Sequence, residues 1–150
     1  MTRVCLVGKE DVELRYELVS RETSREALAT YELREPYQNT VALETVSLGA
    51  AVALMNDLNW YLVRFVDEAL VLEPSIDDEE WLSRTLAKAI RDNEVAPAET
   101  DRFLKVFGVA DGELLEPMFV TRTGRDLPEY DLHDVDETLV VRVTESEFGA

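Results

Sequence analysis

"SLGAAVALMNDLNWYLVRFV", residues 47–66, decides how the chain is read, because it is the longest weakly charged stretch in a sequence otherwise crowded with carboxylates. Three readings compete for it: a phosphate-binding helix start, a membrane-seeking segment and buried core. Asp57 and Arg64 interrupt the apolar run, whereas a membrane span calls for about 18 or more uninterrupted apolar residues. A phosphate cradle at Gly49 would use the free N–H groups and positive dipole end of a helix. Yet neither the glycine-rich dinucleotide pattern nor GxxxxGK[ST] occurs, and after the Gly8-Lys9 pair Glu10 and Asp11 would repel phosphate. Core is the remaining reading. Ser47 caps a helix running to about Leu58, with Ala50, Ala51, Ala53, Leu54 and Leu58 apolar around much of it, and Asn59 stops it. "WYLVRFV", residues 60–66, is aromatic and β-branched, which predicts a strand.

Working outward, "TRVCLV" (Thr2–Val7) reads as a buried strand closed by Gly8. Glu10 to Thr30 is expected to be mainly helical, with Asp11 able to cap, a Glu17–Arg21 ion pair at i,i+4, and a second cap at Ser20. Val12, Leu14, Tyr16 and Leu18 alternate with charged residues instead, the period of a strand, so the boundary at Ser20 stays open. "YELREPY" (Tyr31–Tyr37) and "VALETV" (Val41–Val46) flank "QNT" as an expected hairpin, with Pro36 placing its first strand at an edge. The resulting order is strand, helix, strand, strand, helix, strand over residues 2–72. That is the ferredoxin-like split βαβ, an α+β fold with four antiparallel strands and both helices on one face.

Residues 1–73 thus form an expected α/β core, and residues 74–150 a helical pair and C-terminal β-hairpin packed on it. Ser75 with Asp78 resembles a capping box, and Asp77 to Glu80 suit the positive end of a helix. Its apolar stripe is Trp81, Leu82, Leu86, Ala89 and Ile90. Pro97 opens a second helix carrying Phe103, Leu104 and Phe107, which Gly108 ends. Leu114–Thr121 and Thr138–Val143 are the last two strands, joined by a polar loop with Gly124 and Pro128.

The charge balance constrains the setting. The 150 residues hold 32 Asp plus Glu against 15 Lys plus Arg, a formal −17, and the lysines are only Lys9, Lys88 and Lys105. An acidic surplus spread along the chain, with arginine preferred, suits a surface that stays hydrated in concentrated salt; a terminal acidic block would suggest a tail instead. At about 1 M salt the Debye length is about 3 Å, which mutes self-repulsion and removes the usual inference from net charge to partner. One cysteine, Cys5, permits no disulfide within the chain, which suits a reducing cytosol. The start "MTRVCLVGKED" lacks a long apolar core before a cleavage site, so a secretory signal is not expected. A cytoplasmic protein with no membrane partner is the expectation.

Few residues suggest chemistry. RNA recognition on a ferredoxin-like sheet needs aromatic rings on the central strands, and "TRVCLV" and "VALETV" hold none, so nucleic acid is not an expected partner. "YDLHDVDE" gathers Asp131, His133, Asp134 and Asp136, but in an extended segment Asp131 and His133 share one face while the other two face away. Asp131 and His133 are therefore weak metal candidates beside an acidic solvated loop. Cys5 lies among apolar neighbours, where a thiol is structural rather than nucleophilic. Arg122, Arg125 and Arg142 form the locally basic patch around "TRTGRD"; Asp126 and Glu129 are its expected partners. No cofactor is implied.

"LRYELVSRET" (14–23), "TVALETVSLGAAVALMNDLNWYLVRFV" (40–66) and "FLKVFGVADGELLEPMFVTR" (103–122) together resemble a family of small acidic proteins from halophilic archaea with no assigned function. The resemblance spans essentially the whole chain and implies a halophilic, cytosolic setting without naming an activity. The leading expectation is a non-enzymatic module that binds a protein or a small ligand, with homodimer contact as one use of its aromatic strand. Its working surface is expected near Asn56, Asp57, Asn59, Trp60 and Tyr61, with Arg122 and Arg125 as a second binding patch. Two alternatives stand beside it: a small enzyme whose loops bring His133 to Asn56 or Asp57, and a translation or nucleic-acid accessory.

Overall fold

The apolar run after Met1 becomes strand β1 (Thr2–Gly8), flanked antiparallel by β2 (Thr40–Thr45) and β3 (Val66–Leu72) in a computed structural model that describes residues 1–123 and 135–148. From β3 the sheet continues through β4 (Trp81–Ser83), then β8 (Glu137–Arg142), then β5 (Phe103–Ala110). β6 (Glu113–Leu114) and β7 (Met118–Thr121) both pair along the far side of β5. Among the described residues only β4 and β8 run parallel, Trp81 opposite Val141. The protein is a mixed α+β molecule with an open eight-stranded sheet and, among the described residues, five α-helices.

All five helices cover one face of the first half of this sheet. α1 (Leu14–Val19) and α2 (Glu22–Leu28) link β1 to β2, α3 (Leu48–Asp57) and α4 (Asn59–Phe65) link β2 to β3, and α5 (Arg84–Arg91) follows β4. Alternation along the strands sends Val4, Leu6, Val41, Leu43, Val71 and Leu82 toward them, where they pack with Leu14, Leu18, Val52, Met55, Leu62 and Leu86. The intervening residues Cys5 and Leu70 share a second core with Phe107, Leu139, Val141 and Val143.

That second core reveals the shape of the sheet. At about 4.8 Å per strand, β1 and β5 would lie roughly 19 Å apart if the sheet were flat. Instead their side chains join one cluster, Lys105 of β5 pairs with Glu68 of β3, and the Gln38 N–H donates to the Gly112 carbonyl at 2.7 Å. The sheet therefore curls until its two ends approach, and its helix-free face is concave.

Several expected elements change. "YELREPY" forms no full strand, only an isolated bridge between Arg34 and Ala42, so the four-stranded ferredoxin-like arrangement gives way to three strands of a longer sheet. Arg34 and Ala42 exchange both backbone hydrogen bonds, at 2.8 and 2.7 Å, but no neighbouring pair extends the bridge, and Pro36 has no N–H to give. Residues 60–65, expected as strand, are helix α4, and the strand starts at Val66. Leu58, Tyr61 and Leu62 are buried with Phe65 packed beside them, a spacing of three and four that only a helix turns to one side. Trp81–Ser83 is strand β4, and α5 starts at Arg84 with Ser83 as cap, its hydroxyl accepting from the Leu86 N–H at 3.1 Å. The second helix expected from Pro97 is a single 3-10 turn, Pro97–Glu99, followed by β5. "FLKVFGVA" alternates Leu104 and Val106 toward one face and Phe103 and Phe107 toward the other, and both faces are covered. β5 also separates the two final strands, so β7 and β8 do not pair as a hairpin.

Local signals fared better. Ser47 caps α3 by accepting from the Ala50 N–H at 3.0 Å, and the chain breaks between α1 and α2 at Ser20 and Arg21, across which Glu17 pairs with Arg21 at 3.0 Å. Asp11 does not cap α1. Asn39 does, from 25 residues away: its Oδ1 accepts from the Leu14 N–H at 2.9 Å while its Nδ2 donates to the Lys9 carbonyl at 3.0 Å.

Candidate functional site

The residues expected to form a working surface meet at the turn between α3 and α4, where Leu58 leaves helical geometry and buries its side chain. Asn56, Asp57 and Asn59 are exposed there. Asn56 belongs to a helix-end contact: the Arg84 guanidinium donates to the Met55 carbonyl at 3.3 Å and to Asn56 Oδ1 at 3.4 Å. A cation at the C-terminal end of α3 also suits its dipole. Tyr61 turns inward and is 8% exposed, while Trp60 stays 47% exposed on the outer side of α4, with Val63 at 63% one turn on.

Trp60 is exposed yet held. The Arg64 guanidinium lies 3.8 Å from its ring centroid and donates back to the Trp60 carbonyl at 3.0 Å. Arg21 lies 5.6 Å from the Trp60 ring and 5.2 Å from that of Phe65, itself oriented by Glu17. Tyr61 meets the indole edge-on at 5.0 Å between centroids. Lys9 adds a third cation, donating to the Val63 carbonyl at 3.3 Å. The result is an aromatic anchor flanked by positive charge on a strongly acidic chain.

Arg122 and Arg142, expected at a basic surface, lie 7% and 8% exposed. Both donate to one carboxylate, Glu80: Arg122 through Nη1 and Nη2 at 3.1 and 2.6 Å, Arg142 through Nε at 2.8 Å. Arg142 also donates to Thr100 Oγ1 at 3.2 Å and approaches Asp77 at 3.5 Å. Burial pushes the Glu80 carboxyl up, but the hydrogen bonds from Arg122 and Arg142 outweigh it and hold the group below the usual carboxylate range. At Asp77 burial likewise pushes upward and is outweighed by the N–H groups of Glu79 and Glu80 and then by Arg142. This cluster ties the end of β7, the end of β8 and the approach to β4. Arg122 Nε is, among the described residues, a buried side-chain nitrogen with no hydrogen-bond partner. No local pattern announces the cluster, because Glu80 is 42 and 62 residues from the arginines it joins.

On the concave face a cleft of about 390 Å³ opens between β1, β2 and the 30–37 crossing. Cys5 and Ala42, paired across the strands, lie at its base; Tyr37 and Trp81 line it, and Arg3 and Arg34 stand at its edge. Burial pushes the Cys5 thiol up to about 12, so it is protonated at neutral pH and is no nucleophile. The available signal was the small size of Cys5 and Ala42 between the larger Val4, Leu6, Val41 and Leu43.

Arg125, Asp131 and His133 lie outside the described residues, as do Asp126, Glu129, Asp134, Gly124 and Pro128. Among the described residues no three His, Cys, Asp or Glu side chains gather to hold a metal ion. None of the described helices is long and apolar enough to cross a membrane.

These features define a mixed α+β protein whose open sheet carries helices on one face and a ligand-sized cleft on the other. Residues 2–109 match the model of a family of unknown function, DUF5804, and the chain belongs to that family. The match takes in α4 and every cleft residue named above, whereas Arg122 and Arg142 lie beyond it. No curated protein and no solved structure matches the chain.

Proposed function

We propose that the protein is a non-enzymatic binding module of a salt-rich archaeal cytosol, and that it docks a partner protein through the outer face of α4. The observation that carries this reading is Trp60: a large ring 47% exposed, yet fixed by Arg64 at 3.8 Å. Trp and Arg are the residue types that dominate interface hot spots, and an anchor already held in place loses little rotamer freedom on docking. The partner implied is a surface with an apolar pocket for Trp60 and Val63, rimmed by carboxylates for Arg21, Arg64 and Lys9. The −17 charge and the scarcity of lysine support the saline setting. There, long-range steering is screened within about 3 Å, while stacking and apolar burial persist.

The test is capture in molar potassium chloride with the wild-type chain, Trp60→Ala, and Val46→Ser as an exposed-site control. Partner retained by the wild type and Val46→Ser, and weakened by about 30-fold or more in Trp60→Ala, is the expected result. Equal retention by folded Trp60→Ala would overturn the reading.

A further inference from the structure

The geometry points to a small-molecule site on the concave face, remote from α4: the cleft over Cys5 and Ala42 binds an aromatic amino acid, or a ligand with the same flat ring and zwitterionic head. Space is the first argument. On their helix side β1 and β2 present Val4, Leu6, Val41 and Leu43, all tightly packed. On the concave side the cross-strand pair is Cys5 and Ala42, and a volume of about 390 Å³ stays open above it. The cleft is open to solvent, and its volume falls within the range of about 300–1,000 Å³ of small-ligand sites.

Shape is the second argument. Tyr37 and Trp81 both pack against the same concave core and line the cleft. Aromatic walls over a floor of small side chains favour a flat apolar ring, through area burial and edge or offset stacking. Tyr37, a phenol ordinarily neutral at pH 7, is pushed further from ionising by burial and next by the nearby Glu137 carboxylate. Cys5 is protonated as well, so the charges that line the cleft are those of Arg3, Glu32, Arg34 and Glu44.

Charge at the mouth is the third. Arg3 pairs loosely with Glu44 at 3.5 Å, and Arg34 with Glu32 at 3.6 Å. All four line the cleft and are largely exposed, so each pair contributes about 0–1 kcal/mol and exchanges readily for a ligand group. A simple anion would meet Glu32 and Glu44; a simple cation would meet Arg3 and Arg34. A head that carries a carboxylate beside an ammonium satisfies both signs, the carboxylate taking a guanidinium fork and the ammonium a glutamate. Binding is reversible and involves no covalent step.

The experiment is isothermal titration of the full chain in molar potassium chloride with L-phenylalanine, with 3-phenylpropionate (no ammonium) and glycine (no ring) as comparators. Saturable one-site binding of phenylalanine is expected, with glycine weaker by about tenfold or more for loss of the ring and 3-phenylpropionate weaker by about threefold for loss of one exposed charged pair. Ala42→Leu fills the floor and should abolish binding. Because that variant can disturb the β1–β2 pair, Arg34→Gln, at an exposed position, serves beside it and should weaken phenylalanine about threefold with an unchanged thermal transition. Absence of saturable binding, equal affinity for 3-phenylpropionate, or full affinity in a folded Ala42→Leu would overturn the inference. None of these outcomes bears on α4.

Discussion

Glu80→Gln removes a carboxylate that two buried arginines share, with almost no change in shape. Arg122 and Arg142 present three nitrogens to it between 2.6 and 3.1 Å. The amide keeps a single oxygen to accept with, and its NH2 group must face a guanidinium donor to donor. Breaking a buried ion pair by removing one partner costs about 3–5 kcal/mol. The lower end applies here, because Arg142 keeps Thr100 at 3.2 Å and Asp77 at 3.5 Å, and Arg122 keeps Asp101 at 4.0 Å. We therefore expect a loss of about 3 kcal/mol. In urea at fixed potassium chloride, with a slope of about 2 kcal/mol/M, the unfolding midpoint should fall by about 1.5 M with the slope unchanged. The fall should also persist in molar salt, where exposed pairs are screened. A shift under about 0.5 M, or one that vanishes with salt, would show that the cluster behaves as an ordinary surface pair and refute its role in tying β7 and β8 to β4.

Acid should weaken the wild type more than Glu80→Gln. The folded-state values of Glu80, Asp77 and Glu73 lie below their ordinary ones, so their contribution is complete above the unfolded values near about 4 and is lost as pH falls through the folded ones. Thermal unfolding from pH 7 to 3 in molar salt should thus show the gap between wild type and variant closing; a constant gap would contradict the assignment. Asn39→Ala removes both side-chain bonds that join α1 to the end of β1 and places alanine at φ 54°. A loss of about 2 kcal/mol or more is expected in urea unfolding, and an unchanged midpoint would mean that the α1 start needs no cap. Gly8→Ala should cost more than Gly112→Ala. A Cβ at Gly8 would meet Asn39 Nδ2 at 2.6 Å and Leu14 Cβ at 2.9 Å, an overpacking of about 2–3 kcal/mol. Gly112, at φ 76° with no atom near its Cβ, bears only about 1 kcal/mol of backbone strain. Thermal transitions in the reverse order would refute the close approach at Gly8.

The cleft and the arginine cluster were hidden from a reading of neighbours along the chain, because their members come from separate strands. Arg122 reads as a surface cation beside "TRTGRD" until β7 and β8 are set on either side of β5, which turns it and Arg142 toward Glu80. Trp60 was singled out from composition, and its exposure is visible only once residues 59–65 are a helix rather than a strand.

The sequence by itself determined what depends on contacts within about four residues: the strand after Met1, the Ser47 cap of α3, the Glu17–Arg21 pair, and a helix containing Leu86 and Ile90. Tertiary structure decided the short ambiguous segments. Residues 60–65 look like strand and fold as helix, residues 103–107 carry a helix-like spacing and fold as strand, and Trp81–Ser83 is taken from a helix into the sheet. Local preferences differ by only about 0.5–1 kcal/mol per residue, whereas burying one large apolar side chain is worth about 1.5–3 kcal/mol. In a segment of three to six residues, two or three side chains that find the core match or exceed the summed local preference.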